Sequence, residues 1–139
     1  MTSSPDQSPP RHTLGPSRRL CHDLEFEAVH AGKMRKQGRF LMLWAIPNGR
    51  PAWRLGLAVS SRAGHAAIRV RCKRLIREAF RHSQHELPLL EGAGFDAIVG
   101  VRDARGISFA IVDAELRTLA AQAADEWARR RRRSERDAS

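Results

Sequence analysis

Residues 66–80 place the apolar side chains Ile68, Cys72, Leu75, Ile76, Ala79 and Phe80 at spacings of three and four, the periodicity of an amphipathic helix. Such a stripe must be buried, and the sequence supplies surfaces for it on either side. Residues 54–59 alternate, with Leu55, Leu57 and Val59 on one face and Arg54, Gly56 and Ala58 on the other. Residues 95–102 repeat the scheme, with Phe95, Ala97, Val99 and Val101 opposite Asp96, Ile98, Gly100 and Arg102. Residues 39–46 are apolar on both alternating faces, Phe40, Met42, Trp44 and Ile46 against Leu41, Leu43 and Ala45, the pattern of a central strand. Pro47, Asn48, Gly49 and Pro51 then turn the chain. If the three strands share a sheet, helices cover one face. The other, lined by Gly56, Ala58 and Gly100, is expected to form a shallow open trough; a backbone neighbour packed closely on these small residues is the alternative.

Two further helices complete the pattern. Leu24, Phe26, Ala28 and Val29 mark a short one over residues 23–30, with Gly32 as its stop. A last helix starts near Ser108, with Val112, Leu116, Leu119, Ala123 and Trp127 on one stripe and Asp113 and Glu115 near its positive end; it is expected to pack on the sheet and fray into an arginine tail. With 139 residues the chain is sized for one domain. The expected organisation is a disordered arm over residues 1–17, rich in Ser and Pro, a domain over 18–128 and a basic tail over 129–139. The longest apolar run, residues 40–46, is far short of the roughly 20 residues of a spanning helix, and the start of the chain lacks the apolar stretch of a signal peptide. A cytoplasmic location without membrane contact is therefore expected. Cys21 and Cys72 have no paired spacing, which argues for reduced thiols rather than a disulfide or zinc site.

The net charge of +10 is concentrated in two segments. Residues 62–81 hold seven basic side chains against one acidic, and residues 129–139 six against two; the rest of the chain is neutral. Within residues 66–81, Arg69, Lys73 and Arg77 stand at i, i+4, i+8, and Arg74, Arg77 and Arg81 at i, i+3, i+7. Each like-charged pair destabilises an isolated helix by roughly 0.2–0.5 kcal/mol. Phosphates lying between these side chains would reverse that penalty. A polyanion is therefore the expected partner, nucleic acid first and an anionic membrane as the alternative. The arginine tail, being terminal, is read as solvated.

No protein-based catalytic constellation emerges. His82, His85 and Glu86 lack the further ligands a metal site needs. Cys21, His22 and Asp23 are consecutive and point in different directions, unlike a triad assembled in space. Gly92 and Gly94 lack the context of a phosphate loop, and Ser60-Ser61 that of a nucleophile elbow. No catalytic or metal-binding residue is nominated.

Residues 55–80, Leu-Gly-Leu-Ala-Val-Ser-Ser-Arg-Ala-Gly-His-Ala-Ala-Ile-Arg-Val-Arg-Cys-Lys-Arg-Leu-Ile-Arg-Glu-Ala-Phe, strongly resemble the signature of the bacterial ribonuclease P protein subunit. A strand ending in Val-Ser, a basic Gly loop, then Arg-x-Arg, Lys-Arg and Arg-Glu on one helix carry the resemblance, which extends over about residues 18–128. It implies an α+β fold, a two-layer sandwich of a small central sheet with helices, like domain 2 of ribosomal protein S5, with a left-handed crossover. It also implies an endonucleolytic ribonucleoprotein for tRNA 5′ processing, in which a catalytic RNA and its Mg2+ cleave precursor tRNA while the protein binds that RNA and the single-stranded 5′ leader. By position, Arg62, His65, Arg69, Arg71, Lys73, Arg74 and Arg77 would contact the RNA subunit, and Phe26, Trp44 and Arg102 would form the leader cleft. The implied partners are the RNA subunit and precursor tRNA, with no obligate protein partner. Three positions depart from the family pattern: Val70 replaces the asparagine of Arg-Asn-Arg, Ser61 a common lysine, and His30 an aromatic. A structural RNA-binding protein of ribosomal type is the rival reading. DNA binding through the basic helix ranks last, because Asn, Gln and Ser are nearly absent from it.

Overall fold

The computed structural model describes residues 19–20 and 23–138; the arm expected over residues 1–17, Cys21 and His22 lie outside them. Four strands form one sheet in the order β1-β2-β4-β3: β1 (Arg35–Gln37), β2 (Leu41–Pro47), β3 (Arg54–Leu57) and β4 (Phe95–Val101). β2 is antiparallel to β1 and β4, and β3 is parallel to β4. The parallel pair requires a crossover, which α2 (Ala66–Ser83) provides. α1 (Asp23–Ala31) precedes the sheet and α3 (Phe109–Ala138) follows it.

The alternation in the sequence sorts the faces as expected. Leu41, Leu43, Ala45, Leu55, Phe95, Ala97, Val99 and Val101 point to one side, where they meet Cys72, Ile76, Ala79 and Phe80 of α2 and Val112, Leu116, Leu119 and Ala123 of α3. Sheet and helix pair make the two principal layers. Burial in this layer pushes the Cys72 thiol pKa up, so it is inert packing rather than a nucleophile. β4, central and covered on both faces, is buried along its whole length.

Several features depart from the sequence expectation. β1 is not signalled by the sequence because Arg35, Lys36 and Gln37 carry no apolar alternation; its strand identity comes from pairing with Trp44, Leu43 and Met42 of β2. Glu115, expected near the positive end of the last helix, instead accepts hydrogen bonds from the backbone N–H groups of Arg39, Phe40 and Leu41 at 2.9, 2.8 and 2.5 Å. It thereby fastens the β1–β2 turn to α3.

Gly32 does follow α1, but the left-handed backbone belongs to Lys33, at φ +53°. What Gly32 provides is closeness: a Cβ there would lie 2.3 Å from Ile46 Cγ2. α3 does not fray at the arginines, and its helix continues through residue 138. Trp127 anchors that continuation, half-buried, its Nε1 donating to the Ala45 carbonyl at 2.8 Å.

Candidate nucleic-acid interface

The route into α2 prepares a cationic surface. Ser60 Oγ accepts from the Arg62 N–H at 3.3 Å, and one 3-10 turn, Ser61–Ala63, leads to Gly64. Gly64 has φ +140°, and a Cβ there would lie 2.9 Å from the Ile68 side chain, so the turn needs glycine. His65 then begins α2 in extended conformation without a side-chain cap, and no acidic residue stands in the first turn. The positive end of the helix dipole thus follows Arg62 with no acidic residue in the first turn to offset it.

Cys72, Ile76, Ala79 and Phe80 anchor one side of α2, which leaves the cations on the other. Arg62, His65, Arg71, Arg74 and Arg77 are exposed, and Arg69 and Lys73 are half-buried, their stems lying along the body. Among the described residues, no carboxylate lies within ion-pair distance of Arg62, Arg69, Arg71, Lys73, Arg74 or Arg77. Glu78, the one acid of the helix, is held instead by Arg81 and His82; the Arg81 hydrogen bond, ahead of His82, draws its carboxyl pKa below the ordinary value. Arg69 Nε is buried with no hydrogen-bond partner among the described residues, an unused donor within the basic surface.

A cleft of about 580 Å³ opens where this surface meets the β4–α3 connection, lined by Arg62, Ile68, Arg71, Arg102, Asp103 and Arg105 among others. Asp103 is engaged by Arg105 at 3.0 and 3.1 Å. Arg102 donates to the Gly38 carbonyl at 2.6 Å.

On the sheet face opposite α2 and α3, α1 lies across the strands. Gly56, Ile98 and Trp44 form one register row over β3, β4 and β2. Phe26 packs directly onto Gly56, where a Cβ would fall 2.8 Å from its ring, so at this glycine close packing replaces the open trough. Ile98, Leu20 and Val29 make a small second core with Phe26, Trp44 and Ile46 around it. Trp44 remains half-buried, its ring edge-on to His30 at 5.1 Å. Beyond this row the face is shallower: Ala58 is exposed, and its carbonyl stands 3.2 Å from where a Gly100 Cβ would be.

The residues nominated from sequence therefore fall into three places. Arg62, His65 and the α2 cations share one surface. Phe26 lies with Arg77, Arg19, Leu20 and Gly56 around a cleft of about 210 Å³ between α1 and α2. Trp44 is on the same sheet face two strands away, while Arg102 lines the Arg62/Arg71 cleft rather than the one at Phe26. Sequence reasoning misses Arg19 and Arg105. The Arg18-Arg19 pair before Leu20 is a signal for the first; nothing local marks the second.

Two residues along the strands, in the row of Arg54, Asp96 and Ile46, Arg54 donates to both oxygens of buried Asp96, at 2.7 and 2.6 Å, and pairs with Glu25 of α1 at 2.8 Å. Asn48 donates to Asp96 at 2.9 Å. The carboxylates, Asp96 first, raise the Arg54 pKa above its ordinary value. This network fixes α1 on the sheet. Removing one partner from such a buried pair costs about 3–5 kcal/mol.

Fold and site together define an α+β sandwich with a predominantly cationic helix face, most of whose cations have no carboxylate partner among the described residues. The Ribonuclease P family model matches residues 14–124. The "Ribonuclease P protein component" of Bordetella petrii is 44% identical over 85 residues, 57% of this chain and 69% of that protein. That of Brevibacillus brevis is 34% identical over 87 residues, 62% of this chain and 66% of that protein, just under two thirds of its length. The solved ribonuclease P protein of Thermotoga maritima superposes with a TM-score of 0.64 at 27% identity, covering 74% of this chain and 96% of that one. The chain belongs to the ribonuclease P protein family, of the bacterial type.

Proposed function

We propose that the chain is the protein subunit of a cytoplasmic ribonuclease P, binding a catalytic RNA and the 5′ leader of precursor tRNA while the RNA hydrolyses the phosphodiester. The observation that carries this reading is the α2 surface, where Arg62, Arg69, Arg71, Lys73, Arg74 and Arg77 lack carboxylate partners among the described residues. Phosphates drawn between these side chains relieve their mutual repulsion and release condensed counterions. The uncapped start of α2 adds backbone N–H groups to the same anion-binding surface.

The leader is gripped on the α1 side of the sheet. Trp44 and Phe26 offer ring faces on which bases stack for about 1–3 kcal/mol each without sequence preference, as varied leaders require. Arg102 lies apart from these rings in the Arg62/Arg71 cleft, where it would take a phosphate leading from the leader toward the RNA subunit. Because mature tRNA has no leader, this grip favours precursor over product. In this reading the magnesium belongs to the RNA. Among the described residues no helix is long and apolar enough to cross a membrane.

The test is cleavage of precursor tRNA by the cognate ribonuclease P RNA at low millimolar magnesium, with and without the protein. Protein-dependent cleavage at the mature 5′ end is the expected result. Tight RNA binding with no gain in cleavage would favour the structural RNA-binding reading instead. Trp44→Ala is expected to weaken binding of precursor but not of mature tRNA, and equal losses for both would remove Trp44 from the leader site.

A further inference from the structure

The last turns of α3 lie beyond residue 124, where the family match ends, and they present a second cationic surface. Arg129, Arg132, Arg133 and Arg136 stand at i, i+3, i+4 and i+7, one face of the helix, and all four are exposed. The helix bearing them is fastened to the body by a different set of side chains. Arg130 stacks on Trp127 with its guanidinium 4.7 Å from the ring centroid and donates to the carbonyls of Gly32 and Lys33 at 2.8 and 3.1 Å. Arg131 pairs with Glu91. These contacts hold residues 129–131, and the rest of the helix projects roughly 10 Å further at 1.5 Å per residue.

We infer that this projecting face is a second RNA-binding surface, which grips the phosphate backbone of structured RNA independently of α2. Three observations carry the inference. Arg132 and Arg133 have no carboxylate within ion-pair distance among the described residues, although Glu135 is nearby and lines the same arginine-rich groove. The arginines are held in register on an anchored helix, so the backbone that carries them is already ordered before binding. Finally, the surface lies at the opposite end of the sheet from the start of α2. Trp127 and Arg131 contact the side where β2 ends and β4 begins, whereas the Arg62/Arg71 cleft lies past the end of β4. β4 alone separates these ends by roughly 20 Å at about 3.3 Å per residue. A partner touching both must be extended and polyanionic, as folded RNA is. A membrane surface fits poorly, since residues 129–138 hold no large apolar side chain to insert.

The inference rests on the proposed RNA partnership, and the experiment separates the two. Binding of the full chain to ribonuclease P RNA is measured across a salt series for the wild type, R132Q/R133Q, R132K/R133K and R69Q/K73Q, with helicity checked by circular dichroism. Precursor tRNA binding to the assembled holoenzyme forms a second arm, and vesicles containing anionic lipid a third. With helicity retained, R132Q/R133Q is expected to reduce the magnitude of the negative slope of log K against log salt by roughly 2, about 0.9 for each phosphate no longer neutralised, in one of the RNA arms. The lysine variant should keep the slope. The arm that responds identifies the RNA. Wild-type slopes in both RNA arms for R132Q/R133Q, beside a reduced slope for R69Q/K73Q, would overturn the second surface and leave the α2 reading intact. The same unchanged RNA slopes with abolished vesicle binding would replace RNA by membrane. Failure of the wild type to bind either RNA would overturn both proposals.

Discussion

The α2 surface and the end of α3 carry similar densities of positive charge in the sequence, yet the fold employs them differently. On α2 the apolar stripe holds the helix in place, and Arg69, Arg71, Lys73 and Arg74 are left without carboxylate partners among the described residues. On α3 the first arginines after Trp127 do the holding: Arg130 donates to the Gly32 and Lys33 carbonyls at 2.8 and 3.1 Å and Arg131 pairs with Glu91, while Glu126, paired along the helix with Arg129 and Arg130, reaches Lys36 of β1 at 3.4 Å. Cations that secure a helix have partners within the protein. A surface kept without partners bears a repulsive cost in the free protein, which only an external anion relieves.

The contrast predicts opposite signs for the two regions. Replacing Arg69, Arg71, Lys73 and Arg74 together by Gln should cost RNA affinity on the order of a thousandfold, at about 1 kcal/mol for each charged contact. The free protein should become slightly more stable, because pairs such as Arg69/Lys73 and Arg71/Arg74 cease to repel. A drop in melting temperature would mean that these cations are structural after all. Trp127→Ala should do the reverse. Losing a half-buried indole and its bond to Ala45 is expected to lower stability by about 2 kcal/mol. The α2 contribution to the salt slope should survive, as measured by denaturation and by RNA titration of the same variant.

Part of this contrast is legible in the amino-acid sequence alone. The stripe of Cys72, Ile76, Ala79 and Phe80 places α2, and the alternation over residues 54–57 and 95–101 places both parallel strands, because burial enforces those periods strongly. β1 is illegible, since an edge strand of Arg, Lys and Gln is defined by its neighbour's hydrogen bonds. The arginine segment looks in sequence like a fraying end because a charge run shows no apolar period. Its helix depends on the indole of Trp127, on Glu91 and on the carbonyls of Gly32 and Lys33, each remote in sequence. The candidate site divides in the same way. The cationic face of α2 follows from helical spacing. That Phe26 closes over Gly56, and that Arg102 lies by Arg62 and Arg71, are consequences of register and packing.

The Glu126 cluster gives a pH test of the anchoring. Its carboxyl pKa, held by Arg129 first and then by Arg130 and Lys36, falls from the ordinary 4.5 to about 2. A folded-state value below the unfolded one contributes stability fully above about 4.5, and that contribution disappears as pH falls toward 2. The melting temperature of Glu126→Gln should therefore lie below wild type at neutral pH, by an amount corresponding to about 1 kcal/mol, and should converge on it near pH 2. A gap that persists at pH 2 would assign the effect to packing rather than to the ion cluster.

The smallest predicted effect concerns Val70, an apolar side chain 53% exposed between Arg69 and Arg71. Nothing in the described structure buries it, so Val70→Asn should shift stability by less than about 0.5 kcal/mol, helix propensities of the two residues being similar. On an RNA-binding face the same change supplies a donor and an acceptor where the valine offers neither. One additional neutral hydrogen bond at the weak end of the usual range, about 0.5 kcal/mol, would strengthen RNA binding roughly twofold. The salt slope should not move, because no charge has been added. The same substitution in the R69Q/K73Q background sharpens the comparison further. If the gain persists there, the amide acts on its own; if it vanishes, the flanking cations must first bring the backbone phosphates into reach, and the α2 face works as a unit.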